Sequence, residues 1–136
     1  MLNRRHLLGA LALSAALSLG SMALGSLTWA MDRKPFDQAA FEAAQAAGKP
    51  ILVEVSAPWC PTCKAQAPIL SRLRNDPRFK ELVSLNIDFD SQKDLLRKFN
   101  VQMQSTLIVF KGKQETGRST GDTNAGSIEA LLGKSI

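Results

Sequence analysis

The feature that most constrains the fold is a short apolar run that leads directly into a cysteine pair and then into a helical pattern. The run, I51-L-V-E-V-S56, is rich in β-branched residues and predicts a buried strand. The segment after the pair has apolar residues at helical spacing, with a kink expected at Pro68 because proline lacks a backbone donor. The pair C60-P-T-C63 therefore lies where a strand gives way to a helix.

The rest of the chain continues this alternation of strands and helices. Helices are predicted over 35–47, 64–74, 91–99 and 124–132, and strands over 51–56, 82–88, 106–110 and 115–120. Ser91 is the expected cap of the third helix, and the first helix is expected to turn Phe36, Ala40, Phe41 and Ala44 to one side. Such an order predicts one α/β domain, residues 31–136, with a central mixed sheet of about four strands, one antiparallel edge and helices on both faces.

The first 30 residues predict an export segment. A basic head with Arg4 and Arg5 precedes an uncharged run over 7–30, and small residues allow cleavage before Met31. The head resembles a twin-arginine signal, while an ordinary secretory signal and an uncleaved membrane anchor stay open as alternatives. All three place the domain outside the cytoplasmic membrane, in the periplasm. His6, the only histidine, belongs to this segment, so the domain has no imidazole.

The positive charge of the chain does not indicate a nucleic-acid partner. The formal net charge is +5, and the basic side chains of the domain are scattered without interleaved aromatics. Those expected to be solvated surface include Lys49, Lys64, Arg72, Arg74, Arg78 and Lys80. Composition thus indicates a globular domain that binds no nucleic acid.

The cysteine pair is best explained by redox chemistry. A helix that begins near Cys60, with Pro61 in its first turn, would stabilise a thiolate through free backbone N–H groups and the helix dipole. Cys63, one turn on, is expected to lie deeper, so that Cys60 attacks as an exposed thiol of low pKa and Cys63 resolves. A disulfide that closes four residues stabilises by only about 2 kcal/mol, against about 4.7 for a 100-residue loop, which argues against a structural staple. A metal site would need ligands from a second chain, since the domain has no other cysteine or histidine.

The segment I51-L-V-E-V-S-A-P-W-C-P-T-C-K-A-Q-A-P-I-L70 resembles the strand, active-site loop and kinked helix of the thioredoxin superfamily. The resemblance extends over nearly all of 35–136, with V83-S-L-N-I-D88 and T106-L-I-V-F-K-G112 matching later segments. It implies a thioredoxin-like fold and a thiol–disulfide oxidoreductase. Together with the predicted export segment this predicts an exported enzyme, for which neither a cofactor nor a bound metal is expected. The resemblance also implies disulfides of proteins as substrates, with Trp59, Pro61, Thr62, Gln104 and Ser105 at the substrate-binding surface.

Two positions depart from the family pattern. Glu54 replaces a buried aspartate that serves the second cysteine, which implies a proton-relay role; its pKa is expected to be raised by burial and by Ser84 in place of the neighbouring lysine. Ser105 replaces a cis-proline, and the Gln104–Ser105 bond is expected to be trans because a cis bond there costs about 2.5–4 kcal/mol. The Ser105 hydroxyl is expected near the sulfurs.

The residues between the cysteines favour a mild reductant or isomerase over a strong oxidant, because Thr62 stands where strongly oxidising relatives have histidine. An exported reductant implies a membrane thiol carrier as electron donor. Two other functions stay open: a metal- or cluster-binding module formed by two chains, and a non-catalytic interaction domain.

Overall fold

The structure, a computed structural model, describes residues 33–136, which form five strands and four α-helices. The strands are β1 Lys34–Pro35, β2 Pro50–Ser56, β3 Val83–Asp88, β4 Thr106–Lys111 and β5 Gln114–Thr120. The helices are α1 Gln38–Ala46, α2 Pro61–Arg74, α3 Lys93–Lys98 and α4 Ala125–Gly133, with a 3₁₀ turn at Pro77–Phe79. The predicted elements are therefore confirmed, and a short edge strand, β1, is added to them.

The sheet is mixed, in the order β1-β3-β2-β4-β5. Strands β1 and β2 run parallel to β3, whereas β4 runs antiparallel to both β2 and β5. This confirms the predicted mixed sheet with an antiparallel edge. The sequence gives little indication of β1, because two residues are too few for a periodic pattern.

Alternate residues of β2 face opposite sides of the sheet. Ile51, Val53 and Val55 belong to a core cluster that α1 and α3 cover, in which four phenylalanines pack with ring centroids 5.3 to 6.2 Å apart. Leu52 belongs to a second core cluster, aliphatic apart from Phe79 and covered by α2 and α4. By the same alternation Glu54 lies on the face of α2, the helix that carries Cys63.

Helices α1 and α3 begin later along the chain than the sequence predicts, each because of a local hydrogen bond. Helix α1 begins at Gln38, because Asp37 is its N-cap and accepts a hydrogen bond from the Ala40 N–H at 2.7 Å. Phe36 is buried from the extended segment before the helix, and Ala40 is exposed. Helix α3 has Gln92 rather than Ser91 at its cap position, since the Ser91 hydroxyl donates to Asp88 Oδ1.

The predicted export segment, 1–30, and His6 within it lie outside the described residues. Across residues 33–136 the helices are all too short or too polar to cross a membrane.

Candidate active site

Cys60 and Cys63 form a disulfide at the start of α2, with their Cα atoms 5.3 Å apart. Strand β2 ends at Ser56, and the turn that follows delivers Cys60 to the first turn of the helix. The sequence thus correctly placed the pair at the junction of strand and helix.

Cys60 is the N-cap of α2. Its Sγ accepts a hydrogen bond from the Cys63 N–H at 3.0 Å, and Pro61 occupies the next position, where a backbone donor is not needed. The free N–H groups and the helix dipole at this end favour negative charge. The backbone is therefore arranged to stabilise a thiolate at Cys60.

The exposure of the two cysteines is the reverse of the sequence prediction. Cys60 has 0% of its surface exposed, whereas Cys63 is partly exposed. The expectation of an exposed Cys60 and a deeper Cys63 is wrong for the disulfide form. The N-cap geometry turns the Cys60 sulfur toward the helix, while Cys63 and Ala67, one turn apart on α2, face a cavity of about 310 Å³.

Trp59 lies at the surface beside the pair, with 53% of its area exposed. Its Nε1 donates to Asp90 Oδ2 at 2.9 Å, and its ring meets that of Phe89 edge to face at 6.3 Å. Pro61 is also exposed and Thr62 is partly exposed. These three residues form one surface around the disulfide, and their role in substrate binding stays a prediction.

Glu54 is buried, with 4% of its surface exposed. Its Oε2 accepts from Arg74 Nη2 at 2.5 Å and its Oε1 accepts from Arg33 Nη1 at 3.3 Å. The carboxylate is therefore compensated by two guanidinium groups, which lowers the cost of burying it. Its proton-relay role stays a prediction.

The expected loss of a counter-charge at Ser84 is wrong. Arg74 Nε donates to Ser84 Oγ at 3.1 Å while its other end binds Glu54, so an arginine from α2 supplies the positive charge. Arg74 is also not the solvated surface residue that the sequence predicted, since its side chain is only 11% exposed. Sequence reasoning missed both arginines because they are far from Glu54 along the chain. Arg33 precedes β1 and Arg74 ends α2, and both meet the β2 residue Glu54 only in the folded structure.

The loop before β4 holds Ser105 in the left-handed region, with φ of 58°. The described residues contain no cis peptide bond, so the Gln104–Ser105 bond is trans, as expected. The Ser105 N–H donates to the Val55 carbonyl at 2.8 Å, a bond that a proline at this position would lack. The Ser105 hydroxyl donates to the Gln104 carbonyl at 2.5 Å, and its expected position near the sulfurs stays a prediction.

Gln66 is a positioning residue that sequence reasoning missed. It is 2% exposed, and its Nε2 donates to the carbonyls of Ser105 at 3.2 Å and Asp122 at 2.8 Å. This amide joins the active-site helix to the loop that carries Gln104 and Ser105. The sequence signal that could have identified this residue is the presence of a glutamine among the apolar positions of α2.

No group of three or more histidine, cysteine, aspartate or glutamate side chains within 33–136 is arranged to hold a metal ion.

Comparison with known proteins identifies the family. The thioredoxin family model matches residues 32–134. The crystal structure of Trxlp from Edwardsiella tarda EIB202 has 42% sequence identity and a TM-score of 0.72, over 74% of this chain and 97% of that chain. A thioredoxin of Echinococcus granulosus is 33% identical over 98 residues, covering 72% of this chain and 90% of that protein.

A bifunctional thioredoxin reductase/thioredoxin of Mycobacterium leprae is also 33% identical, over 85 residues. The match covers 62% of this chain but only 18% of that larger protein. The strand, the cysteine pair, the proline-containing helix α2 and these matches all agree. The chain therefore belongs to the thioredoxin family and is a thiol–disulfide oxidoreductase, of a family that acts on disulfides in proteins.

Proposed function

We propose that this protein is exported and that its Cys60–Cys63 dithiol reduces or isomerises disulfides of client proteins outside the cytoplasmic membrane. The observation that carries the redox part is the position of Cys60, whose sulfur caps α2 and accepts the Cys63 N–H. The same backbone group can stabilise a thiolate after the disulfide opens.

The reaction begins with the Cys60 thiolate. It attacks one sulfur of a client disulfide, forms a mixed disulfide and releases the other client sulfur as a thiolate. The Cys63 thiolate then attacks Cys60 and releases the second client thiolate. Two electrons pass to the client, and the pair returns to the disulfide seen in the structure.

The direction of electron flow is proposed from position 62. Thr62 cannot add positive charge beside the Cys60 thiolate, so the dithiol form is stabilised less than it would be by a histidine there. We expect a reduction potential close to the value of about −270 mV found for thioredoxin and far from about −120 mV, the value of a strong oxidant. Equilibration with glutathione or dithiothreitol buffers measures it.

The matched pair Thr62→His and Thr62→Asn sharpens this test. The histidine variant should have a potential higher by on the order of 30 mV or more, which is a tenfold change in the equilibrium constant. The asparagine variant, which adds no charge, should stay near the parent. A parent potential near that of the strong oxidant would overturn the reductant proposal.

Export is proposed from the basic and apolar pattern of residues 1–30. A reductant outside the membrane needs electrons from inside, so a membrane thiol carrier is the proposed donor. Fractionation of cells that produce the full chain should place the protein outside the cytoplasm. Replacing Arg4 and Arg5 by lysine should retain it inside only if the twin-arginine route is used. A cytoplasmic location of the parent chain would refute export.

A further inference from the structure

A buried glutamine links the active-site helix to two loops. Gln66 lies on α2 three residues after Cys63, so the two residues share a face of the helix. Only 2% of Gln66 is exposed, and the other buried residues of this helix, Leu70 and Leu73, are aliphatic. Burying a carboxamide is costly unless its N–H groups find acceptors, so the partners of Gln66 indicate what it does.

The carboxamide of Gln66 binds two backbone carbonyls. Its Nε2, which has two N–H donors, donates to the Asp122 carbonyl at 2.8 Å and to the Ser105 carbonyl at 3.2 Å. Ser105 lies in the loop before β4, and Asp122 lies in the loop after β5. The Gly121 N–H also donates to the Ser105 carbonyl, at 3.0 Å. One side chain of α2 therefore joins two loops that are already joined to each other.

The loop before β4 needs this support because Ser105 has an unfavourable backbone conformation. Its φ of 58° lies in the left-handed region, which a residue with a Cβ rarely adopts. Such a conformation persists only where the surrounding contacts determine it. The Ser105 N–H is fixed to the Val55 carbonyl on β2, and the Ser105 carbonyl is fixed by Gln66 and Gly121. The position of the loop relative to α2 therefore depends on Gln66.

The stabilisation of a Cys60 thiolate does not depend on Gln66. The Cys63 N–H and the first turn of α2 favour negative charge on the Cys60 sulfur. The Gln66 side chain is uncharged, and its Nε2 donates to the two loop carbonyls. Removing the carboxamide should therefore change the position of the loop and leave the chemistry of the cysteine pair unchanged.

We propose that Gln66 is a positioning residue for client binding, because it holds Gln104 and Ser105 in a fixed place relative to the disulfide on α2. The proposal rests on the proposed reaction with client proteins and on the role of this loop in binding them. A protein client binds only the fraction of molecules in which the loop has its binding conformation, and the apparent affinity falls with that fraction. A small disulfide that does not contact the loop is insensitive to it.

Gln66→Met tests the proposal, because methionine has a similar length but no N–H donor. The reduced full-length parent and variant are mixed with insulin and, separately, with hydroxyethyl disulfide, and the second-order rate constants are measured. The variant should react with insulin about three- to tenfold more slowly, as expected for the loss of one or two neutral hydrogen bonds. Its rate constant with the small disulfide should match that of the parent.

Two results would overturn the role of Gln66 and leave the oxidoreductase activity standing. One is an unchanged rate with insulin, and the other is an equal slowing with insulin and with the small disulfide. A parent chain that does not reduce insulin at all would instead refute the proposed function, and the role of Gln66 with it.

Leu73→Val is the matched control on the same helix. Leu73 lies two turns after Gln66, is fully buried and belongs to the core cluster between the sheet and α4. Its shortening destabilises the core without removing a hydrogen bond to either loop. Both rate constants of this variant should match those of the parent. A slowing with insulin as large as that of Gln66→Met would show that general destabilisation is the cause.

A measurement on the parent does not depend on how well the variants fold. The Nε2 hydrogens of Gln66 should exchange with water much more slowly than those of Gln114, which is exposed at the start of β5. Nuclear magnetic resonance of the side-chain amides gives the two rates. Equal exchange at the two residues would mean that the Gln66 bonds do not hold the loop.

Discussion

The two cysteines are separated by two residues, yet their surroundings are built in different ways. Cys60 is surrounded by its own local structure: it caps α2, accepts the Cys63 N–H and has no exposed surface. Cys63 faces a cavity whose walls come from segments far apart along the chain, among them Arg33 and Asn86. The surroundings of Cys60 thus depend on the end of α2, and those of Cys63 depend on how distant segments pack.

This difference explains how one short motif can serve two roles. A helix N-terminus favours a thiolate wherever the sequence places a cysteine at its cap. Access to the second sulfur depends on what lies beyond the helix, here the polar network around Arg33, Ser56 and Asn86. The predictions below test whether the two surroundings are separable.

The largest effect is expected when each cysteine in turn is replaced by serine. Cys60→Ser should reduce insulin reduction with dithiothreitol to the uncatalysed level, because no thiolate remains at the helix cap. Cys63→Ser should instead stop after the first step and accumulate a mixed disulfide with the client, visible on non-reducing gels. If the Cys60 variant accumulates the complex and the Cys63 variant does not, the assigned roles are reversed.

The next effect concerns the buried ion pair on the Cys63 side. Arg74→Met leaves the Glu54 carboxylate without its shorter partner, and the free energy of unfolding should fall by about 3–5 kcal/mol. Adding Glu54→Leu to this variant should restore most of the loss. Denaturant titration measures all three proteins.

Arg72→Met is the matched control for this change. Arg72 lies two residues earlier, its side chain is 57% exposed, and it pairs with Glu129 at 3.5 Å. Its loss should cost only about 0–1 kcal/mol, as expected for an exposed pair. If the two variants lost equal free energy of unfolding, the buried Glu54 would depend on Arg74 no more than Glu129 depends on Arg72.

A smaller effect is expected in the loop before β4. Ser105→Gly should be more stable than Ser105→Ala by about 1 kcal/mol, because glycine adopts a φ of 58° without the steric cost of a Cβ. Both variants lose the hydroxyl bond to the Gln104 carbonyl, so their difference isolates the backbone. Thermal and denaturant unfolding measure it, and equal stability would argue against strain at this position.

The smallest effect is expected at a surface ion pair remote from both cysteines. The side chain of Arg78 hydrogen-bonds Asp76 and lowers the pKa of that carboxyl from 3.8 to about 2. Because this pKa is lower in the folded than in the unfolded state, the ionised carboxylate stabilises the fold at pH values above the unfolded pKa of about 4. This stabilisation is lost as the pH falls from about 4 to 2.

Asp76→Asn should therefore lose less stability than the parent between pH 4 and pH 2. The melting temperature measured at each pH in low salt gives the comparison. High salt should reduce the difference, because exposed charges are screened. A parent and variant with parallel pH profiles would show that this pair does not contribute.

The sequence allowed good prediction of elements with long periodic patterns, such as β2, α2 and α4, and of the position of the cysteine pair. Predictions failed where a short contact decides the outcome. Asp37 starts α1 later than its composition indicated, and Ser91 binds Asp88 instead of capping α3. The two-residue strand β1 exists only because β3 offers a free edge to Lys34 and Pro35.

The sequence by itself determined that a strand meets a helix at Cys60, because both patterns and Pro61 are local. It also determined that the loop before β4 lacks the family's cis-proline, because residue 105 is a serine. Only the tertiary structure decided that Arg33 and Arg74 meet Glu54, and that Cys63 rather than Cys60 faces an open cavity. Local preferences depend on neighbours in the chain, whereas ion pairs and cavities depend on how distant segments pack.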